Sequence, residues 1–428
     1  MRRCVSVAGA LAMAGCRSSR VFAAGSLERL FAVVVFVAGC VAVLAGTAPG
    51  SAAHRTKQAA AGPPSEQTYG QLNAVAVTAA GVLAVGQQRN PLCGNPISEL
   101  GSSAGWQIVV PPKPRGCGTL NAVASDGRGG AWAVGDYLAT NGLQRTLVEH
   151  FDGRSWAIVR SPSPGRQASL GGVVLGRNQQ VWAVGAYQAA ASGIRVGAVK
   201  TLTMVDSGAG WRIVPSPSPS TADNELNAVT VAANGALWAV GDEFDANDLL
   251  QHTLTLRRSA AAGWGVVASP SPATTSAAGT KLISVTAAAR GTLWAVGQYI
   301  DTSFRQQTLA LRYDGSSWQI VPSPSLGKSD SLEAAATAPD GSIWAVGEYV
   351  DSRCAKTLTE RYRGTSWQLV PGANPLCTKT RGNALHGLAV DRRGVLYAVG
   401  DTGIYTLVET NSGSGWHAVK ATKTILPS

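Results

Sequence analysis

Charge is scarce in this chain. Only 14% of its 428 residues are Asp, Glu, Lys or Arg, while 45% are hydrophobic. That balance excludes a disordered polymer, which needs high charge and little apolar surface. Histidine is scarcer, with five in all; His150, His252, His386 and His417 lie in the body and His54 ahead of it. No two of them stand at metal-ligand spacing, so no metal site is expected. Gly-x-Ser-x-Gly, Walker and dinucleotide motifs are missing in any suitable context, and with them the chemistries and cofactors those loops serve. The net charge is +11, but the basic residues are not interleaved with aromatics on one element. Nucleic acid is therefore not expected as a partner, and the excess is read as a solubilising surface.

Beyond residue 53 there are no long apolar runs. The segment 1–53 has two, Val5 to Gly15 and Leu30 to Gly46, each preceded by arginines. The second has the length of a signal core or a short membrane span, and Ser51-Ala52-Ala53 has the small-x-small form of a cleavage site. The expectation is export, with cleavage after Ala53, retention as an anchor, or lipidation at Cys40 as alternatives. Each places the body outside the cytoplasm, secreted or membrane-attached, with the membrane touched only through this segment. Residues 54–70 read as a flexible lead-in, 71–420 as the folded body and 421–428 as a tail.

What the body does have is a repeat. Trp-Ala-Val-Gly occurs at 132–135, 182–185, 238–241, 294–297 and 344–347, with weaker copies at 83–86 and 397–400. The glycines are 49, 50, 56, 56, 50 and 53 residues apart. A period near 50 built of short apolar runs implies a repeat architecture. The fifth copy shows the grammar: Leu282 to Ala287, Leu293 to Tyr299, Thr308 to Tyr313 and Trp318 to Val321. Runs this short, bounded by Gly, Asp and Pro, are strands, and Asp314-Gly315 between two of them signals a hairpin. We call the four strands a to d in chain order.

The third position of strand a is small in all copies: Ala74, Ala122, Gly172, Ala228, Ser284, Ala334 and Gly387. Small side chains suit strands that crowd a common axis, so strand a is expected innermost. Strand c opens with Thr-Leu in six copies, with Glu99-Leu100 aligned as its counterpart in the first. Strand d brings one Trp per copy, read as packing between sheets rather than a binding platform. Pro after strand d suits an outer edge. Seven such units make an all-β, seven-bladed β-propeller of four-stranded antiparallel blades. All copies run a to d in phase, so closure is expected without strand exchange between the chain ends.

The order of an apolar strand, an aromatic-Ala-Val-Gly strand, then Tyr-Asp-Gly-x-x-Trp, as at Tyr313 to Trp318, resembles kelch repeats and the galactose oxidase central domain. It departs from kelch in having one Gly after strand b rather than a pair. The copper site of galactose oxidase, which needs a Tyr and His cluster with a free cysteine cross-linked to Tyr, is not carried over, because the four cysteines of the body have another use.

The functional expectation is a binding or scaffolding module for an unidentified extracellular protein or carbohydrate, acting as a monomer. The competing class is an extracellular lyase or oxidase with its site at one mouth of the channel, because propellers host both. Asp136, Asp242, Glu348 and Asp401 share one repeat position, and they read as solvated caps at the end of strand b or as a cation-binding ring. The b–c connections vary most in length, and variable loops on a rigid scaffold are where binding lives. Gln188, Arg195, Lys200, Phe244, Asp245 and Asp248 are the contact residues this predicts. Four of the seven cysteines lie in the body. Cys93 and Cys354 fall in b–c loops, and Cys117 and Cys377 in the d–a loops that follow, at separations of 24 and 23. Both loop types emerge on one face, so Cys93–Cys117 and Cys354–Cys377 disulfides are expected in an oxidising compartment.

Overall fold

The computed structural model describes residues 69–419, apart from 90–92, 103–104, 191–196, 247–249, 260, 273–278 and 379–380. The readings of segment 1–53, and Arg195 and Asp248 among the contact residues, lie outside the described residues.

Among the described residues, twenty-eight strands form seven four-stranded antiparallel sheets, each built from four consecutive strands. The seven strands a are Gly70–Val77, Gly116–Ser125, Gln167–Leu175, Asn224–Val231, Thr280–Ala287, Asp330–Thr337 and Ala384–Val390. Each packs against its neighbours around the axis, and the first meets the last. The small third position is where they crowd: a Cβ on Gly172 would lie 2.9 Å from the Cα of Ala228, and one on Gly387 2.8 Å from that of Ala74. No blade mixes N- and C-terminal strands. Blade 7 meets blade 1 through Leu72, Val75, Trp106, Val399 and Val408. At its rim the Gly70 amide donates to Ile404 O at 2.9 Å.

The apolar strands a and b are buried because each sheet is covered on both faces by its neighbours. The tryptophans join one blade to the next. Trp132 meets Trp211 edge-on at 5.7 Å, Trp182 meets Trp264 at 6.2 Å, Trp238 meets Trp318 at 5.8 Å and Trp294 meets Trp367 at 5.3 Å. Each pair unites strand b of one blade with strand d of the next. Such pairs add about 1 kcal/mol beyond the area they bury.

The register corrects one sequence alignment. Gly86 pairs with Ile97, as Gly135 pairs with Leu147, so Pro96-Ile97 is the first blade's counterpart of Thr-Leu. Glu99 instead matches Glu149, Glu360 and Glu409, each opposite the alanine of Ala-Val-Gly.

The prolines after strand d do more than protect an edge. In blades 2 to 5 a Ser-Pro-Ser turn closes around the first Thr of strand c. Thr146 Oγ1 lies 3.0 Å from Pro162 O and 2.8 Å from Ser163 Oγ, and its amide donates to the same Oγ at 3.0 Å. The contact repeats at Thr201 with Ser218, Thr253 with Ser271 and Thr308 with Ser325. Asn374 substitutes at Thr357 in blade 6.

Candidate functional site: the channel mouth and its loops

Strand a carries a β-bulge at the same place in every blade. The displaced residues are Asn73, Asn121, Gly171, Asn227, Ile283, Glu333 and His386. A bulge brings the strand-a backbone against strand b, which is why the motif ends in glycine. A Cβ on Gly135 would lie 2.1 Å from Thr119 O.

Three asparagines use the bulge to reach the next blade. Asn73 Nδ2 donates to Leu120 O at 2.9 Å, Asn121 Nδ2 to Leu170 O at 3.0 Å and Asn227 Nδ2 to Leu282 O at 2.8 Å. Asn121 and Asn227 also donate, each at 3.2 Å, to Asp136 and Asp242 in their own blades. A Gln at the start of strand c completes each set: Gln144 Nε2 donates to Asp136 at 2.7 Å and Gln251 Nε2 to Asp242 at 2.5 Å.

The expectation of solvated carboxylates at strand ends is thus corrected. Asp242 and Asp401 are buried, and Asp136 is half-buried. Burial raises the Asp136 pKa to about 6 against the opposing pull of Gln144 and Asn121, and burial raises that of Asp242. These groups clamp blade to blade. Asn121→Ala should therefore cost about 2 kcal/mol, since two hydrogen bonds go and a buried carbonyl and carboxylate each lose a donor. Denaturant midpoints measure this; a cost below about 0.5 kcal/mol would dismiss the clamp.

The seam of blades 7 and 1 differs. His386 Nε2 lies 3.1 Å from Asp401 Oδ2, and Arg89 Nη2 lies 3.7 Å from Asp401 Oδ1. Arg89 also donates to Gly403 O and, at 3.3 Å, to Gln71 Oε1. His386 and Asp401 are thus brought together at the end of strand b of blade 7. Glu333 occupies the equivalent bulge in blade 6 and Glu348 the position equivalent to Asp401. Among the described residues no group of three or more His, Cys, Asp or Glu could hold a metal ion.

The contact residues that can be placed lie on two adjacent blades. Lys200 Nζ donates to Ser220 O at 3.4 Å, and Val199 N to Asp223 Oδ1 at 3.1 Å. Phe244 N donates to Asp223 O at 2.8 Å, and Ser220 Oγ donates to Phe244 O at 2.6 Å. The b–c connections of blades 3 and 4 therefore grip the same segment, 215–223. Gln188 closes strand b of blade 3, its carbonyl accepting from Arg166 N at 3.0 Å. The Asp245 amide bonds Leu250 O at 2.9 Å. Beside them an open hollow of about 380 Å³ is lined by Glu243, His252, Ser269 and Ser271. Burial raises the pKa of Glu243.

One residue on this face escaped sequence reading. Phe304, at the tip of the b–c connection of blade 5, is 73% exposed with φ of +57°. Asp301 holds it there: its carboxylate accepts from the amides of Ser303 at 2.8 Å and Arg305 at 2.9 Å, and its carbonyl from Phe304 N at 3.0 Å. The left-handed region is costly for a bulky side chain and clusters at ligand clamps. The signal available was Asp301-Thr302-Ser303-Phe304-Arg305, an aromatic inside a turn.

No family model matches the chain, and no curated protein matches it. Solved structures similar to it include an ulvan lyase of a polysaccharide lyase family, at 11% identity over 83% of this chain and 95% of that one, TM-score 0.49. Sqt1 of Chaetomium thermophilum is 13% identical over 83% of this chain and 87% of its own, TM-score 0.47. An α-L-arabinanase of Penicillium chrysogenum is 12% identical over 59% and 81%, TM-score 0.41. The assignment as a seven-bladed propeller rests on the blades themselves.

Proposed function

We propose that this propeller is a binding module of an extracellular or other oxidising compartment, and that its ligand docks on the b–c and d–a face across blades 3 to 5. The observation that carries this reading is Phe304, an aromatic ring held out to solvent by a backbone conformation that Asp301 enforces. Rigid aromatic anchors lose little entropy on binding and dominate contact energies. Gln188, Lys200, Phe244 and Asp245 stand on the neighbouring blades of the same face and, with Arg195 and Asp248 of the same loops, complete the proposed surface. Two disulfides support the oxidising compartment. Secretion through segment 1–53, a kelch-like ancestry and action as a monomer belong to the same proposal.

The test is retention on immobilised chitin, cellulose, xylan and peptidoglycan, with an immobilised extracellular protein fraction as the alternative. Wild type should be held by at least one matrix. Phe304→Ser should weaken retention at least roughly tenfold. Replacing residues 189–198 and 245–250 with short turns should abolish it, with the melting temperature nearly unmoved. Equal retention of all three proteins would overturn the proposal.

The His386–Asp401 pair beside Arg89 favours a second reading, an enzyme of lyase type, since a carboxylate-oriented imidazole can move a proton. Chain shortening of a retained polysaccharide, lost in His386→Asn while retention persists, would select it.

A further inference from the structure

The opposite face, formed by the a–b and c–d turns, departs from its own repeat at one groove. Two repeat positions border each groove between successive blades, the residue after the strand-d Trp and the residue near the end of strand c in the next blade. Around the ring these positions hold Gln107 and Phe151, Ala157 and Asp206, Gly265 and Tyr313, Gln319 and Tyr362, Gln368 and Asn411, and His417 and Gly101. Between blades 3 and 4 they hold Arg212 and Arg258, close enough for the charge of one to act on the other.

Their surroundings add a third cation. Arg177, in the a–b turn of blade 3, crosses to blade 4, its Nη2 donating to Ala233 O at 3.1 Å. A Cβ on Gly235 would lie 2.1 Å from Arg177 Nε, so the side chain lies flat over that glycine. Arg258 rests on the Trp182 ring, its guanidinium carbon 4.4 Å from the centroid. In blades 5 and 6 the same place over strand-b tryptophan is filled by Tyr313, at 4.6 Å from Trp238, and Tyr362, at 4.4 Å from Trp294.

Three side chains on this face have acidic partners: His150 lies against Asp126, Arg361 against Asp340 and Arg393 against Asp391. Among the described residues none of Arg177, Arg212 and Arg258 forms an ion pair. Arg258 Nε is buried without a hydrogen-bond partner. Asp206, the nearest acid in blade 3, spends its carboxylate on the amides of Gly208 at 2.7 Å and Gly210 at 3.2 Å in its own turn. Burial, then the Arg212 charge, lowers the Arg258 pKa, so the folded protein disfavours this arrangement unless a negative charge joins it.

We propose that Arg177, Arg212 and Arg258 form a second site, in the groove of blades 3 and 4, for the anionic group of an acidic polysaccharide. Guanidinium forks match carboxylate and sulfate oxygens, and Trp182 braces one fork against the sheet. Nucleic acid is disfavoured because a groove of three arginines offers fewer contacts than the roughly six to ten phosphates of a duplex footprint. The two disulfides also favour a compartment where acidic glycans occur.

The experiment titrates the full chain, at low salt, with polygalacturonate, dextran sulfate, neutral dextran and duplex DNA; the first two distinguish carboxylate from sulfate. The variants are Arg212→Gln with Arg258→Tyr, residues the repeat itself uses in blade 5, and Arg290→Gln as a same-face control. Wild type should bind one acidic glycan and not neutral dextran. The double variant should weaken that binding at least roughly tenfold, with an unchanged or higher melting temperature, and the control should stay within about twofold. Salt should weaken the wild-type complex. No acidic glycan bound, tighter binding to DNA, unchanged affinity in the double variant, or equal loss in the control would each overturn the site. A double variant that melts well below wild type would make the arginines structural and overturn it too.

Discussion

Raising the pH from about 5 to 8.5 should lower the melting temperature of this protein by about ten degrees or more. Opposite the alanine of Ala-Val-Gly, strand c carries Glu99, Glu149, Met204, Leu256, Leu311, Glu360 and Glu409. Blades 6, 7, 1 and 2, an unbroken arc of the ring, thus bury a carboxyl where blades 3, 4 and 5 bury an apolar side chain. Glu99, Glu149, Glu360 and Glu409 are at most 1% exposed. Glu99 accepts from Thr406 Oγ1 at 2.8 Å, and Glu409 from Ala373 N at 3.2 Å. Neither oxygen of Glu149 or Glu360 has a hydrogen-bond partner among the described residues. Burial pushes Glu149 and Glu360 up to about 8, with Asp330 adding to the latter, Glu99 to about 7 and Glu409 to about 6, from an ordinary 4.5.

The folded state therefore holds protons that the unfolded chain releases. The stability of the neutral carboxyls is fully present below pH 4.5 and is lost as pH rises through their folded values, up to about 8. For Glu149 and Glu360 the loss is on the order of 4 kcal/mol each. The turn carboxylates act oppositely. Asp314, lowered to about 2 by the amide of Ser317 and the hydroxyl and amide of Ser316, contributes above its ordinary 3.8 and is lost only in stronger acid. The optimum should fall near pH 5. Glu149→Leu with Glu360→Leu, the side chain of blades 4 and 5, should raise the melting temperature at pH 8.5 and flatten the profile. A wild-type profile flat between pH 5 and 8.5 would dismiss the argument.

That arc shows what the sequence displayed and what it hid. Blade number and strand order were legible because Trp-Ala-Val-Gly marks each strand b and each strand is too short for a helix. The small residue of strand a located the axis, since only the innermost strands crowd so closely. The bulge was invisible: one displaced residue leaves no period, and Asn appears there in three blades only. Glu99 was hidden by counting inward from the wrong dipeptide; pairing register, not spacing, groups it with the other glutamates. Arg212 and Arg258 belong to different blades, and the repeat departs from itself there only once the groove between them is known. Phe304 reads as loop filler until its backbone conformation and exposure are seen. At the channel mouth, the carboxylates were found by position, but their role depends on amides of other strands, which sequence does not place.

Removing the two disulfides should weaken the ring at one joint before the others. Cys93–Cys117 and Cys354–Cys377 form as expected, with Cα atoms 5.1 and 5.5 Å apart. One detail alters their meaning. Cys117 lies within Gly116–Ser125, strand a of blade 2, rather than in the loop before it. The first disulfide thus ties blade 1 to blade 2, and the second ties blade 6 to the segment entering blade 7. Between them lies the one joint that no connecting segment of the described chain crosses, that of blades 7 and 1. It is held by apolar packing, by the Gly70 amide on Ile404 O, by Thr406 Oγ1 on Glu99 and by Arg89. Each disulfide closes a loop of about two dozen residues, worth about 3 kcal/mol in the chain-entropy model. Cys93→Ser with Cys117→Ser should lower stability by about that amount, and the four-serine variant by about 6 kcal/mol. Amide exchange in the four-serine variant should quicken first in strands Gly70–Val77 and Thr406–Asn411, while Asn224–Val231 and Thr280–Ala287 stay protected. Uniform acceleration through all seven blades would mean that the disulfides stabilise the chain generally and do not brace the seam.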